Sequence, residues 1–422
     1  MTLLFPTMTY IEFFDKDVCE NICSCLVNPP ERVILIGSNK KRLEKHAERY
    51  SELFRSKGLE IEFLYRSVNK NQIHSIITAL TIIAEEYDDC VFDLTGGDEL
   101  YLTSVGILFE RFKDKNLQMH RINLRNGIIT DCDCDGNTIE TDSFMPLSIE
   151  EYLRLYGGNI VYDEQKPEGT YRWRLDAECI DDVFTMWSVC KRDVRLWNAQ
   201  ISVWAEAFEC SGSADGTLSI SIPVEILEKK LKSVGGSYRC IKGIVNTLKR
   251  NGLMTLSEQN GILHLSFKNE QVQRCLTKAG QVLELIVYIS ALNATEKDGS
   301  KSYSDVMTGV QIDWDGNIHT QTNACDTQNE IDVMMMHGLI PIFVSCKNGA
   351  VDVNELYKLN TVAERFGGSY SKKVLVATAL DDSLSSEYIR IRAKDMNIRL
   401  IEDVQTMSES ELNKIFRSLW QN

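Results

Sequence analysis

Between residues 31 and 126 short apolar runs alternate with longer amphipathic stretches. RVILIGS reads as a strand ending in small residues, and KKRLEKHAERYSELFRSKG as a helix closed by Gly58. The strand LEIEFLYR, the helix NQIHSIITALTIIAEEY, the strand and turn CVFDLTGG, the helix ELYLTSVGILFERFKDK and the strand LQMHRINLRNG follow. Strands alternating with helices of this length predict a parallel sheet. DCDCDGN at 131–137 is a polar turn that opens an appended hairpin or ends the domain.

From about 140 to 270 the periodicity weakens. Segments around Trp173, Trp187, Trp197 and Trp204 read as helical or mixed. Beyond the polar loop SGSADG, PVEILEKKLK, GSYRCIKGIVNTLKRNG and LMTLSEQNGILHLSF read as helix, helix and hairpin, with Asn260-Gly261 at the hairpin tip. That order suits a winged-helix-like module.

The last 150 residues return to an α/β pattern. EQVQRCLTKAGQVLELIVYISAL predicts one long helix and VMTGVQIDW a strand; a hairpin follows in NEIDVMMMHGLIPIFVSCKNG. DVNELYKLNTVAERF is a helix ending at Gly367-Gly368, and KKVLVAT, SSEYIRIRAKDM and IRLIED close the unit as strand, helix and strand. The expected architecture is therefore α/β multidomain: a Rossmann-like parallel sheet over 1–138, a linker with the winged-helix-like module over 139–270, and a second α/β domain over 271–422.

With 43% hydrophobic and 25% charged residues the chain is globular, and 422 residues exceed one ordinary core. No uncharged apolar run reaches the ~18 residues that span a bilayer, and the N-terminus lacks a basic leader, so a cytoplasmic protein is expected. The thirteen cysteines form no CxxC or Cys/His zinc pattern and are expected to be reduced thiols. A net charge of −15 excludes a protein that grips nucleic acid with its whole surface; a local basic groove is required. Neither GxGxxG nor GxxxxGK[ST] occurs, which argues against nicotinamide dinucleotides and ATP.

The C-terminal hairpin carries the chemistry. With His337-Gly338 as a two-residue turn, 332 faces 343 and 330 faces 345. Period-two alternation then projects Glu330, Asp332, Ser345 and Lys347 from one face, and packs Ile331, Val333, Ile342 and Val344 on the other. Carboxylates so placed suit Mg²⁺ or Mn²⁺, and an adjacent lysine orients or deprotonates water and neutralises developing charge. Glu284 stands alone in the apolar octet VLELIVYI and is a further carboxylate candidate. Taken singly, these residues also fit an exposed helix position, strand-end charges, and a capping box Asp352-x-x-Glu355.

Glu284, Asp332 and the arm Ser345-Cys346-Lys347 resemble the PD-(D/E)xK nuclease superfamily. Its last motif is acid-x-lysine, and Ser345 occupies the acid position here. The resemblance leaves the place of that acid to a water at Ser345, to Glu330, or to Glu355 on the following helix. At the other end, DLTGGDELYLTSVG, with Gly37-Ser38-Asn39, resembles the CRISPR-associated Rossmann-fold (CARF) sensor domain over residues 8–130. That likeness implies a homodimer holding one cyclic oligoadenylate, with Gly37, Ser38, Asn39, Thr95, Gly96 and Gly97 against the ring. Asp98 would stand adjacent, bonding a ribose hydroxyl or capping a helix, and Asp15 would line the same crevice. Together the two likenesses imply a prokaryotic type III CRISPR effector. It would be a metal-dependent endonuclease on single- or double-stranded DNA or RNA, activated by cyclic tetra-adenylate. The alternative is a non-catalytic regulator in which the sensor drives DNA binding. Lys372, Lys373, Arg390, Arg392 and Lys394 are candidate phosphate contacts.

Overall fold

A computed structural model describes residues 8–14, 17–124, 128–131, 138–140, 144–212, 216–238, 240–316, 328–381 and 383–421. The first unit contains β1 (Thr9–Phe13), α1 (Cys23–Val27), β2 (Arg32–Gly37), α2 (Lys40–Ser56), β3 (Glu62–Ser67), α3 (Ile73–Glu86), β4 (Cys90–Asp93), α4 (Glu99–Arg111), β5 (Leu117–Asn123), β6 (Ile128–Asp131) and β7 (Thr138–Glu140). Its seven strands are ordered β3-β2-β1-β4-β5-β6-β7. The first five are parallel, and β6 and β7 form the appended antiparallel hairpin. The expected polar turn at 132–137 lies outside the described residues. Strand order reverses direction between β1 and β4, which opens a crevice at the carboxyl ends of these strands.

The middle of the chain contributes α5 (Ile149–Leu155), β8 (Asn159–Ile160), α6 (Ala177–Cys190), α7 (Val194–Ser211), β9 (Ser219–Pro223), α8 (Val224–Ser233), α9 (Lys242–Arg250), β10 (Met254–Gln259) and β11 (Ile262–Phe267). β10 and β11 meet at Asn260 and Gly261, both with positive φ, the backbone that a tight two-residue hairpin demands. The Trp187, Trp197 and Trp204 side chains bury in the core shared by α6, α7 and the last sheet.

The final unit holds α10 (Glu270–Thr277), α11 (Gln281–Asn293), β12 (Asp305–Asp313), β13 (Gln328–His337), β14 (Ile340–Lys347), α12 (Val353–Phe366), β15 (Lys372–Ala377), α13 (Leu384–Asp395), β16 (Ile398–Ile401) and α14 (Glu409–Phe416). Its mixed sheet runs β16-β15-β14-β13-β12-β8. The single long helix expected over 270–292 is instead α10 and α11, bent by 119° at a break containing Gly280. The turn comes from Lys278, whose backbone is extended at φ −123 and ψ 110, while Gly280 is already helical at φ −79 and ψ −20.

One apolar cluster runs from Val33, Leu35 and Tyr50 of the first unit through Tyr152 to Phe343 and Phe366 of the last. The two units therefore share packing. Asp17 pins the contact: its carboxylate accepts bonds from Tyr156 Oη at 2.5 Å and Ser369 N at 2.7 Å. Among the described residues no single helix is long and apolar enough to cross a membrane, and the ten described cysteines are free.

Candidate active site and sensor crevice

The β13–β14 pairing runs from His337↔Ile340 to Val333↔Val344, so the turn is Gly338-Leu339, not His337-Gly338. Gly338 takes φ +57, a conformation glycine adopts without strain. The expected register is off by two residues. A two-residue slip preserves the face each side chain points to, whereas a one-residue slip would have exchanged them. Asp332 comes level with Ser345, whose Oγ donates to Asp332 Oδ2 at 3.2 Å; Cys346 N donates to the same oxygen at 2.5 Å.

The alternation expected for Ile331 fails, for a reason in the neighbouring strand. The β12–β13 ladder passes from Thr308↔Val333 to Val310↔Ile331 and skips the rung between them, where Gly309 has φ +59. Beyond this break Ile331 packs in the core that contains Phe343, while Val333, Ile342 and Val344 pack in the opposite one. Glu330 joins the helix acid. Carboxylate oxygens of Glu284, Glu330 and Asp332 lie within 4.8 Å of one another.

The bend before α11 supplies a residue that sequence reading missed. Lys278 Nζ stands 2.8 Å from Glu330 and 3.6 Å from Glu284. In one continuous helix Lys278 and Glu284, six residues apart, would point about 120° away from each other, and only the bend brings them together. Gln281 Nε2 donates to Glu284 at 2.9 Å. On the other side Lys347 Nζ meets Glu355 Oε2 at 2.8 Å, and Glu355 also pairs with Lys358 at 2.9 Å. The reciprocal capping box expected of Glu355 does not form. Asp352 caps α12 through Asn354 N, and the Glu355 carboxylate turns to the lysines. A cavity of about 320 Å³ opens between these groups, lined by Glu330, Asp332, Ser345, Lys347, Glu355 and Lys358.

Burial and the Asp332 carboxylate push Glu284 up to about 8, with Lys278 opposing them. Burial also raises Asp332, against Lys347 and the Cys346 amide. For Lys347, burial works against the charged form, but Asp332 and Glu355 outweigh it and hold the ammonium above its ordinary value. Burial favours the neutral form of Glu355 too, yet Lys347 and Lys358 keep it below the usual range. Lys278 already supplies one positive charge to this group of three carboxylates. Two oxygens on opposite sides of Mg²⁺ sit about 4.2 Å apart at its ~2.1 Å bond length, so this donor set fits a hard divalent ion after small side-chain movements.

The expected phosphate contacts do not gather here. Arg390 is held by Glu402 at 2.8 Å, Arg392 donates to Tyr357 Oη at 2.6 Å, and Lys373 donates to Asn360 and the Met396 carbonyl. Lys372, Lys373 and Lys394 line a separate cavity.

At the other end, Gly37 and Thr95–Gly97 stand at the crevice beside β1. A Cβ on Gly97, at φ +95, would fall 2.8 Å from Phe13 Cβ. Asn39 accepts from Arg42 N and so caps α2, while Asp98 accepts from Leu100 N and Tyr101 N and caps α4. Thr95 Oγ1 donates to Asp93 and accepts from Ile122 N at 2.9 Å. Ser38 is exposed and Gly96 half-buried, and Asp15 lies outside the described residues. Beneath the crevice is a buried cluster that sequence reading passed over: Glu12, opposite Asp93 across β1 and β4, with His120 Nε2 3.5 Å from Asp93. Burial and Asp93 raise Glu12 well above the carboxylate range. An acid inside TYIEF was its only mark in the sequence.

The comparisons with known proteins fall on the same acid cluster. Residues 269–419 match the family model "Card1-like, endonuclease domain". This Card1-like region contains Lys278, Glu284, Glu330, Asp332, Lys347 and Glu355. Across the whole chain the fold resembles protein VC1899 from Vibrio cholerae, at TM-score 0.70 and 17% identity, covering 98% of this chain and 97% of that one. It also resembles Can2 from Sulfobacillus thermosulfidooxidans, solved in complex with cyclic tetra-adenylate, at TM-score 0.64 and 15% identity over 97% of each chain. No curated protein matches.

Proposed function

We propose that the chain is a metal-dependent endonuclease of the PD-(D/E)xK type, switched on by a cyclic oligoadenylate in type III CRISPR defence. One observation carries the reading: Glu284, Glu330 and Asp332 converge within 4.8 Å in a region matching a Card1-like endonuclease. Glu284, Glu330 and Asp332 would hold Mn²⁺ or Mg²⁺. Such an ion, when bound, polarises a phosphate oxygen and acidifies its water.

Lys347 acts as a cation. Its raised pKa keeps it protonated at neutral pH, so it neutralises charge developing on the phosphate and orients water, and does not take the proton itself. Glu355 holds the lysine in place, and Ser345 fills the acid position of the motif by fixing Asp332. The sensor reading rests on the crevice lined by Gly37, Ser38 and Thr95–Gly97, and on the fold shared with Can2, which was solved with cyclic tetra-adenylate. Two copies would enclose the ring, with Asp98 serving as helix cap. The ring activates only by binding the cleaving arrangement more tightly than the resting one. The continuous core and the Asp17 contact offer the route between the sites.

The test is to incubate the purified protein with Mn²⁺ or Mg²⁺ and a panel of cyclic oligoadenylates, against single-stranded and supercoiled DNA and RNA. Cleavage should need both ring and metal and be lost in Lys347→Ala and Asp332→Ala. Undiminished cleavage in the double variant overturns the proposal.

A further inference from the structure

The chain carries −15 overall, yet residues 229–257 contain seven lysines and arginines and no acid. That run forms the end of α8, all of α9 and the start of the β10–β11 hairpin. Strand order β10-β11-β9, with α7 before β9 and α8 and α9 after it, places α9 as the last helix before the hairpin. Ile244, Val245 and Leu248 bury one side of α9, leaving Lys242, Asn246, Lys249 and Arg250 exposed on the other.

Among the described residues the partners of Lys249 and Arg250 carry no charge. Lys249 Nζ donates to the Leu256 carbonyl at 2.9 Å and Arg250 to the Asn246 carbonyl at 3.3 Å, both neutral acceptors. By contrast, Lys230 on the far side of α8 pairs with Glu206 and Glu209. A groove of about 740 Å³ between the start of α7 and α9 extends the basic surface to Arg192; Asp193 at its edge is already engaged in capping α7.

We infer that α9 and its hairpin form a winged-helix docking surface for duplex DNA, separate from the acid cluster. The inference rests on the nuclease reading only in naming the substrate class that the enzyme holds. Helix dimensions select the ligand: the major groove of B-form DNA admits an α-helix, whereas the deep, narrow major groove of an RNA duplex does not. Lys242, Lys249 and Arg250 would meet phosphates, and Asn246 carries an amide of the kind that reads adenine edges.

The test uses the full chain without metal or ring, so that binding is read independently of cleavage. Fluorescence anisotropy measures affinity for labelled duplex DNA, the corresponding single strand and an RNA duplex across a salt series. The double variant Lys249→Glu/Arg250→Glu should lose tenfold or more in duplex DNA affinity, and the slope of log affinity against log salt should fall by about two. Lys242→Glu, about two turns away, should lose less in the same direction. Asn246→Ala should alter sequence preference and leave the salt slope unchanged. Unchanged duplex affinity in a double variant that melts like the parent overturns the inference. An equal loss on single strands and RNA duplex also overturns it, because that outcome describes an undirected charge patch. If the parent binds duplex DNA through α9 but never cleaves, the nuclease reading fails and the docking surface stands.

Discussion

Glu284→Gln should stabilise the metal-free protein while destroying its activity. In the folded chain burial and Asp332 hold the Glu284 carboxyl protonated up to about 8, whereas unfolded it ionises near 4.5. Between those values the folded state binds more protons than the unfolded one, so stability falls as pH rises from 4.5 to about 8 and then levels. The interval corresponds to at most about 5 kcal/mol. Asp332 and Lys278 share the same field, so removing one charge recovers a fraction, about 1–3 kcal/mol. At roughly 2 °C per kcal/mol for a chain of this size, Glu284→Gln should melt about 2–6 °C higher than the parent at pH 8.5, and within about 1 °C of it at pH 4.5. Gln281 can still donate to the glutamine oxygen, and Lys278 keeps Glu330, so no buried group loses its partner. Differential scanning fluorimetry in EDTA across pH reads the effect. Adding Mn²⁺ should raise the parent's Tm most at high pH, where three carboxylates are available, and raise the variant's less. A melting temperature lowered equally at both pH values would refute the reasoning, because Glu284 would then be a stabilising partner rather than a charge held for a cation.

Lys347→Ala should lower ring-activated cleavage by about 10²–10³-fold with little effect on Mn²⁺ affinity, measured by single-turnover rates and metal titration. Glu355→Gln should cost less, about tenfold, since Asp332 still orients the lysine. Gly309→Ala forces an L-residue to φ +59 and should destabilise by about 1–2 kcal/mol in denaturant unfolding, with cleavage lost beyond the effect on stability because Glu330 and Asp332 shift. Asp17→Ala strands the Ser369 amide and the Tyr156 hydroxyl and should cost about 1–3 kcal/mol. Gly97→Ala places a methyl against Phe13 and should weaken cyclic tetra-adenylate binding by calorimetry.

Periodicity alone located most of the strands and helices. The parallel sheet of β2 to β5 was legible because β2, β3 and β4 are each followed by an amphipathic helix long enough to cross back over a sheet, whereas the order that inserts β1 between β2 and β4 was not. Glu284, Asp332 and Lys347 were legible for a related reason, since charges inside apolar runs stand out against the pattern that burial imposes. The faces of Val333, Ile342 and Val344 survived a wrong turn because side chains repeat every two residues, whereas Ile331 changed face. The rest depended on contacts distant in the chain. The skipped rung at Gly309 is a property of two strands together, and neither strand alone reveals that Glu330 swings toward α11. Lys278 reaches the acids only because the chain bends at its own extended backbone, and the field that raises Glu284 is the sum of groups 46 to 48 residues away in sequence. Local pattern determines which segments become strands and helices; only their packing decides which charges meet, because Coulomb interactions and burial act through space and not along the chain.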